Sequence, residues 1–285
     1  MRNRNRPLQG NTLYKALFQS RTDESSLKTI SSGILACCTN ARRLFDDAKT
    51  LTNADRFATA QFLLATADEE IGKVYILLDM LRLDFAKHEG ELRKLCGAFY
   101  NHLSKHAYTD VLRFPGIWNR ALHGVKRRFD SERRKWSEGN PESGEPDMPA
   151  DHLMAREGSL YVEFYSDGYE DVWWVPDNNH SKGMVLGRGP KRMWGGTLNY
   201  VEKSVAKLEE SRDNRLFSPE CLQIFHEEFS KVFITSSGSG LATSGKKICD
   251  LYHPIFERLE KIGLQLSATL RADNALIAWP LYPLL

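Results

Sequence analysis

From residue 27 onward, apolar side chains return at alternating steps of three and four: Leu27, Ile30, Ile34, Cys37, Ala41, Leu44, Ala48 and Leu51. Successive helical residues are about 100° apart, so this spacing draws one apolar stripe down an amphipathic helix. A second stripe runs through Phe57, Ala60, Leu64, Ala67, Ile71, Val74, Leu78, Leu81 and Phe85, after a turn-prone Thr52-Asn53-Ala54-Asp55 suited to capping its start. A third helix is expected from Glu91 to Tyr108, carrying Leu92, Leu95, Phe99, His102 and His106 on one face. A fourth begins at Pro115 and turns Trp118, Ala121, Leu122, Val125 and Phe129 inward. Brief joins make these elements antiparallel neighbours in a bundle.

The rhythm then changes. Residues 137–150 are rich in Pro, Gly and acids and read as an exposed linker. Alternating residues from Leu160 to Tyr165 and from Val172 to Val175, with Asp167-Gly168 between them, predict a β-hairpin. A glycine-rich basic loop follows over Gly183 to Gly196. Helical patterning resumes from Leu198 to Glu210 and from Pro219 to Phe233, and a last helix is expected from Lys247 to Arg271. The fold expected is mainly all-α, an antiparallel helical bundle with a small β-hairpin insertion and extra C-terminal helices. Its divisions are a flexible basic arm over 1–25, the bundle over 26–136, and linker, hairpin and loop over 137–196. Completing helices over 197–235 follow, then a Ser/Gly linker and C-terminal helix over 236–285.

Composition narrows the class of protein. The chain has 285 residues, 41% of them hydrophobic, enough to bury a core. Its formal net charge of +2 means that any nucleic-acid surface must be local. Cys37, Cys38, Cys96, Cys221 and Cys249 are odd in number and form no C-x-x-C pair, which argues against a disulfide framework or zinc ribbon and for a reducing compartment. No run approaches the roughly 18 to 20 apolar residues of a membrane span, and the first residues hold no apolar signal core. A soluble cytoplasmic protein without a membrane partner is expected.

Polarity on the apolar faces singles out candidate chemistry. Glu70 projects between Leu63 and Leu77 inside the apolar sector of the second helix, whereas Asp68, Glu69 and Lys73 fall toward its edges. Glu69 and Lys73 have the spacing of a surface ion pair. Gly72, a poor helix former, suggests that another backbone comes close. His102 and His106 occupy consecutive turns of the third stripe with Lys105 beside them. A lone core imidazole is commonly satisfied by a neighbouring polar group, but a carboxylate and two imidazoles on adjacent helices point to a site. Neither H-E-x-x-H nor a repeated E-x-x-H accompanies them, so no metal or other cofactor is expected. Arg120, Lys126, Arg127 and Arg128, with Trp118 interleaved, suit phosphate contact and base stacking, although a solvated helix face has the same composition. Gly240 to Lys247 nearly spells a phosphate-binding loop, but Lys247 replaces the required Ser or Thr.

Several pieces, in order, resemble the AbiV abortive-infection family of the HEPN superfamily. They are Asn40-Ala41 and Asp47-Ala48, Asp68-Glu69-Glu70-Ile71-Gly72-Lys73, Phe99-Tyr100-Asn101-His102 with Lys105, and Gly158 to Phe164. The resemblance implies a HEPN-like bundle, usually a homodimer, from a bacterial defence that sacrifices the infected cell. It also implies a metal-independent ribonuclease toxin acting on RNA to arrest translation, with a phage-encoded activator as partner. In that chemistry an Arg steadies the scissile phosphate and a His shortly after it moves protons. Here Arg93 lies too far ahead of His102, on the opposite side of the same expected helix. Aligning Tyr100 with the missing Arg puts His106 at the histidine position. On this reading His102 and His106 supply acid or base, Lys105 stabilises phosphate charge, and Glu70 orients an imidazole. A dimeric interaction protein without catalysis, binding a phage or translation component, is the other reading.

Overall fold

The computed structural model describes residues 6–19, 21–113, 163–166, 171–174, 176, 178–186, 197–230 and 254–264. Among the described residues, eight longer helices are α1 (Arg6–Leu17), α2 (Asp23–Asn53), α3 (Phe57–Met80), α4 (Glu89–Tyr100), α5 (His102–Arg113), α6 (Asn178–Leu186), α7 (Thr197–Asp213) and α8 (Pro219–Phe229). A ninth, α9, covers 254–261. The described chain is mainly helical, as the apolar stripes require.

Thr22 starts α2 by accepting a hydrogen bond from the Ser25 backbone N–H at 3.3 Å, and Asp23 and Glu24 complement the helix dipole. The helix buries Leu27, Ile30, Ile34, Cys37, Ala41, Leu44 and Ala48, the stripe read from the sequence. Its partner is α3. Gly33 faces Leu77, and Cys37 faces Glu70, so the two run antiparallel. The turn between them differs from the expected cap. Arg56 precedes α3 and makes no side-chain cap, while Asp55 takes a left-handed φ of 56° that reverses the chain.

Helix α3 is the axis of the fold. Residues 67–72 and 74–80 are buried without a break, because α2, α4, α5, α6 and α7 all pack against it. A helix segment enclosed on nearly every side, with Lys73 alone half-buried between residues 67 and 80, must find partners for each buried polar side chain it carries.

Residues 6–17, expected as part of a flexible arm, form helix α1 instead. Gly10, Tyr14 and Leu17 are buried with Leu13 half-buried beside them, and this stripe packs on α4. Arg93 of α4 stacks 4.0 Å above the Tyr14 ring and donates to Asn11. Helix α7 buries Val201, Val205 and Leu208 toward α2 and α3, and Glu209 pairs with Arg42 of α2. Ser218 caps α8 ahead of Pro219, and Ser31 of α2 donates to the Phe217 carbonyl at 2.6 Å.

Two four-residue strands, β1 (Glu163–Ser166) and β2 (Asp171–Trp174), pair antiparallel with Glu163 opposite Trp174 and Ser166 opposite Asp171. The residues between them lie outside the described ones, as do the expected fourth helix, residues 187–196 of the glycine-rich loop and Gly240 to Lys247, whereas residues 183–186, expected as the start of that loop, form the end of α6. The C-terminal helix was expected to continue to Arg271. It stops at 261, where Gly263 adopts φ +79° and Leu264 turns back to bond the Leu259 carbonyl. No described helix is long and apolar enough to cross a membrane.

Candidate functional site, a polar seam between α3 and α5

The expected third helix is two helices. Asn101 adopts φ −94° and ψ 120°, extended geometry that ends α4 at Tyr100. Its side-chain oxygen then accepts from the Ser104 N–H at 3.0 Å and its carbonyl accepts from the Lys105 N–H at 3.1 Å, so the same residue starts α5. The apolar spacing from Phe99 to His102 passes straight through this junction, which hid the break in the sequence pattern. Consequently His102 is the first residue of α5, and His102, Lys105, His106 and Thr109 meet the flank of α3.

Gly72 permits that meeting. A Cβ added there would fall 2.4 Å from the Lys105 carbonyl oxygen, so only glycine allows the backbone of α5 to lie this close. Residues three and four positions earlier share the face of Gly72, and these are Glu69 and Asp68. Both are buried, with 4% and 1% of their surface exposed.

Glu69 is the hub. Its two oxygens each lie 2.7 Å from His102 Nδ1, and Lys105 Nζ donates to Oε2 at 2.6 Å. His106 Nε2 stands 3.6 Å from Oε1. Asp68 takes the other side of the seam, with Oδ2 at 3.2 Å from His106 Nδ1 and accepting from the Thr109 hydroxyl at 2.8 Å. About three helical turns further along α3, Tyr108 donates to Asp79 at 2.7 Å. Arg82 reaches the other Asp79 oxygen at 3.0 Å while lying over the Phe229 ring.

The electrostatics follow from this packing. Burial works against ionising Glu69, but the His102 hydrogen bond, the adjacent His106 imidazole and the Lys105 charge outweigh it and hold the carboxyl well below its usual range. Burial lowers the Lys105 ammonium, and Glu69 only partly restores it. For His106 burial opposes the charged form, yet the bond to Asp68 and the nearby Glu69 carboxylate prevail and raise the imidazole above its usual value. Burial, seconded by Asp79, lifts the Tyr108 phenol well above 10. Burial also pushes the Cys37, Cys38 and Cys96 thiols up to about 12, which removes them as nucleophiles.

Access separates the members. The His102 side chain is 26% exposed, whereas Lys105 and His106 keep only 5% and 2%. Because an ionised carboxylate only accepts, Glu69 assigns the proton to His102 Nδ1 and the lone pair to Nε2. The pair is therefore a carboxylate-oriented imidazole at the protein surface, fit for proton transfer.

The sequence placed His102, Lys105 and His106 together, and the structure joins them. It assigns Glu70 differently. Glu70 pairs with Lys73 at 2.6 Å and takes a hydrogen bond from the Cys37 thiol, so Glu69 is the carboxylate at the imidazoles. The expected Glu69–Lys73 surface pair is replaced accordingly. Glu69, Asp68 and Thr109 were missed as partners because a helix buried all round has no edge on its wheel. Gly72 was the usable signal, since it marks the face that α5 touches. Arg93 of α4 is engaged by Glu89 on its own helix and by Asn11 and Tyr14 of α1. Arg120, Lys126, Arg127, Arg128 and Trp118 lie outside the described residues. Among the described residues no group of three His, Cys, Asp or Glu is arranged to hold a metal ion. At Glu69 the Lys105 ammonium sits 3.5 Å from His102 Nδ1, where it would repel one.

A helical bundle whose central helix meets a histidine-bearing helix through buried carboxylates is consistent with a HEPN-type domain. A family model described as AbiV matches residues 29–185, more than half of the chain and the whole polar seam, so the chain belongs to the AbiV family. The family is one of abortive-infection defence. No curated protein and no solved structure matches the chain.

Proposed function

We propose that this AbiV protein defends its host by cutting RNA without a metal, with His102 as the group that moves protons and Glu69 as the residue that positions it. The observation that carries this reading is the His102–Glu69 pair, a part-exposed imidazole fixed at 2.7 Å on a buried, ionised carboxylate. His102 Nε2 would take the proton of a ribose 2′-hydroxyl as that oxygen attacks the neighbouring phosphorus. The bond from phosphorus to the 5′-oxygen breaks, and that oxygen collects a proton, leaving a cyclic phosphate and a 5′-hydroxyl. In a homodimer a second copy of His102 would supply the returning proton.

Lys105 and His106 are too enclosed to touch a phosphate, so their part is to hold Glu69 ionised and α5 in place. RNA as substrate, arrest of translation and a phage-encoded activator extend this proposal. The test is incubation of purified protein with labelled RNA in excess chelator. Wild type should cut, and His102→Ala and Glu69→Gln should each lower the rate by a factor of about 100 or more with the helical circular dichroism retained. No cutting by wild type at any concentration would sink the reading.

The burial of Lys105 and His106 favours a second reading, a dimeric interaction protein whose polar seam only sets the helix crossing. It predicts that His102→Ala and Glu69→Gln change the dimer mass measured by light scattering, and that RNA is never cut.

A further inference from the structure

Cutting RNA beside His102 needs a positive charge that a phosphate can reach, because charge accumulates on the phosphate oxygens in the transition state. Lys105 is sealed, and its ammonium is committed to Glu69. Lys73 is placed differently. It follows Glu69 by one turn of α3 and adjoins Gly72, where the α5 backbone touches. Its side chain is 21% exposed. Its ammonium lies 5.4 Å from the centre of the Phe99 ring, and Phe99 stands three residues ahead of His102 across the Asn101 junction. The Lys73 charge also reaches into the seam, where it is one of the influences that lower the Lys105 ammonium.

Glu70 complicates the picture in an informative way. Its carboxylate binds Lys73 at 2.6 Å and is itself only 11% exposed. It therefore occupies the cation that faces solvent, as a phosphate oxygen would. Phe99 supports the ammonium from beneath in the same arrangement.

We propose that Lys73 is the phosphate-binding cation of the His102 site, and that Glu70 is a built-in competitor which RNA phosphate displaces. The proposal rests on the ribonuclease reading for its setting, and it assigns Glu70 to regulation of binding. Lys73 selects for a polyanion, and His102 selects for one with a 2′-hydroxyl next to the phosphate.

The experiment is fluorescence anisotropy with a labelled single-stranded RNA of mixed sequence. The full-length chain carries His102→Ala in every sample, so that the probe stays intact. Adding Lys73→Ala should weaken binding about tenfold and reduce the slope of log affinity against log salt by about 0.7, the loss of one phosphate contact. Lys73→Arg should keep both values near the parent. Glu70→Gln should tighten binding severalfold, the opposite of what loss of a structural or substrate-touching residue gives. If Lys73→Ala fails to fold, Lys73→Met keeps the aliphatic stem over Phe99 and is expected to show the same loss.

Unchanged affinity and slope in the folded Lys73 variant, or weaker binding by Glu70→Gln, would overturn the proposal, as would absence of RNA binding by the parent. Lys73-dependent binding by a chain whose wild type never cuts RNA would instead remove the ribonuclease reading and keep the cation site.

Discussion

The two sides of α3 are built on opposite rules. Toward α2 the contact is largely apolar, with Leu77 against Gly33 and an antiparallel course that tolerates local repacking. Toward α5 the contact is made of ionised and hydrogen-bonding groups, Asp68, Glu69, Lys105, His106 and Thr109, all buried. Apolar packing is non-directional and its loss scales with the volume removed. A buried ionic seam is directional and all-or-none, since each charge is tolerable only while its partner is present. One helix thus carries the bulk of the cohesion on one flank and the positional demand on the other.

The largest effect that would break this contrast is expected from Glu69→Leu, which strands Lys105 and the seam imidazoles. Unfolding in urea should show a loss of about 3–5 kcal/mol. Adding Lys105→Met should recover most of the stability, because an apolar pair can replace a buried ionic one, while RNA cutting stays absent. Full additivity of the two losses would show that the pair does not interact. Gly72→Ala should cost about 3 kcal/mol by forcing α5 off α3, and it should abolish cutting as His102 moves. Leu77→Ala should lower stability by about 2–3 kcal/mol and leave the cutting rate of the folded protein near wild type. A large loss of activity there would mean that the two flanks are not separable.

The smallest effect is a pH signature. Glu69 is held below its unfolded value near 4.5, so its contribution is present above that pH and fades as pH falls toward the folded value. His106 is raised above 6.5, so its contribution is complete below 6.5 and fades as pH rises through the folded value. Stability measured across pH should fall on the alkaline side less steeply in His106→Gln than in wild type. Parallel curves would remove His106 as the source.

The same contrast explains what could be read from residues alone. The apolar flank was legible because Leu27 to Ala48 and Phe57 to Leu81 keep one period over many turns, and Gly72 was legible as a close approach. The seam was legible only in part. His102, Lys105 and His106 share a face whether or not the helix breaks at Asn101, so their grouping survived an error in the element that carries them. Choosing between Glu69 and Glu70 required knowing which neighbour lies on which side of α3, and that is set by tertiary packing. Helix α1 was missed for a similar reason, since the basic residues around it conceal the Gly10, Leu13, Tyr14 and Leu17 stripe.

In genetic terms, Gly72 makes the seam a small and exposed target. Every one-base change that turns a glycine codon into that of another amino acid adds at least a Cβ, and at position 72 that atom meets a carbonyl oxygen. At Gly90 and Gly97 the same atom meets nothing within 4 Å. Random variation therefore falls unequally on these codons, with position 72 closed to substitution and the two glycines of α4 open to it.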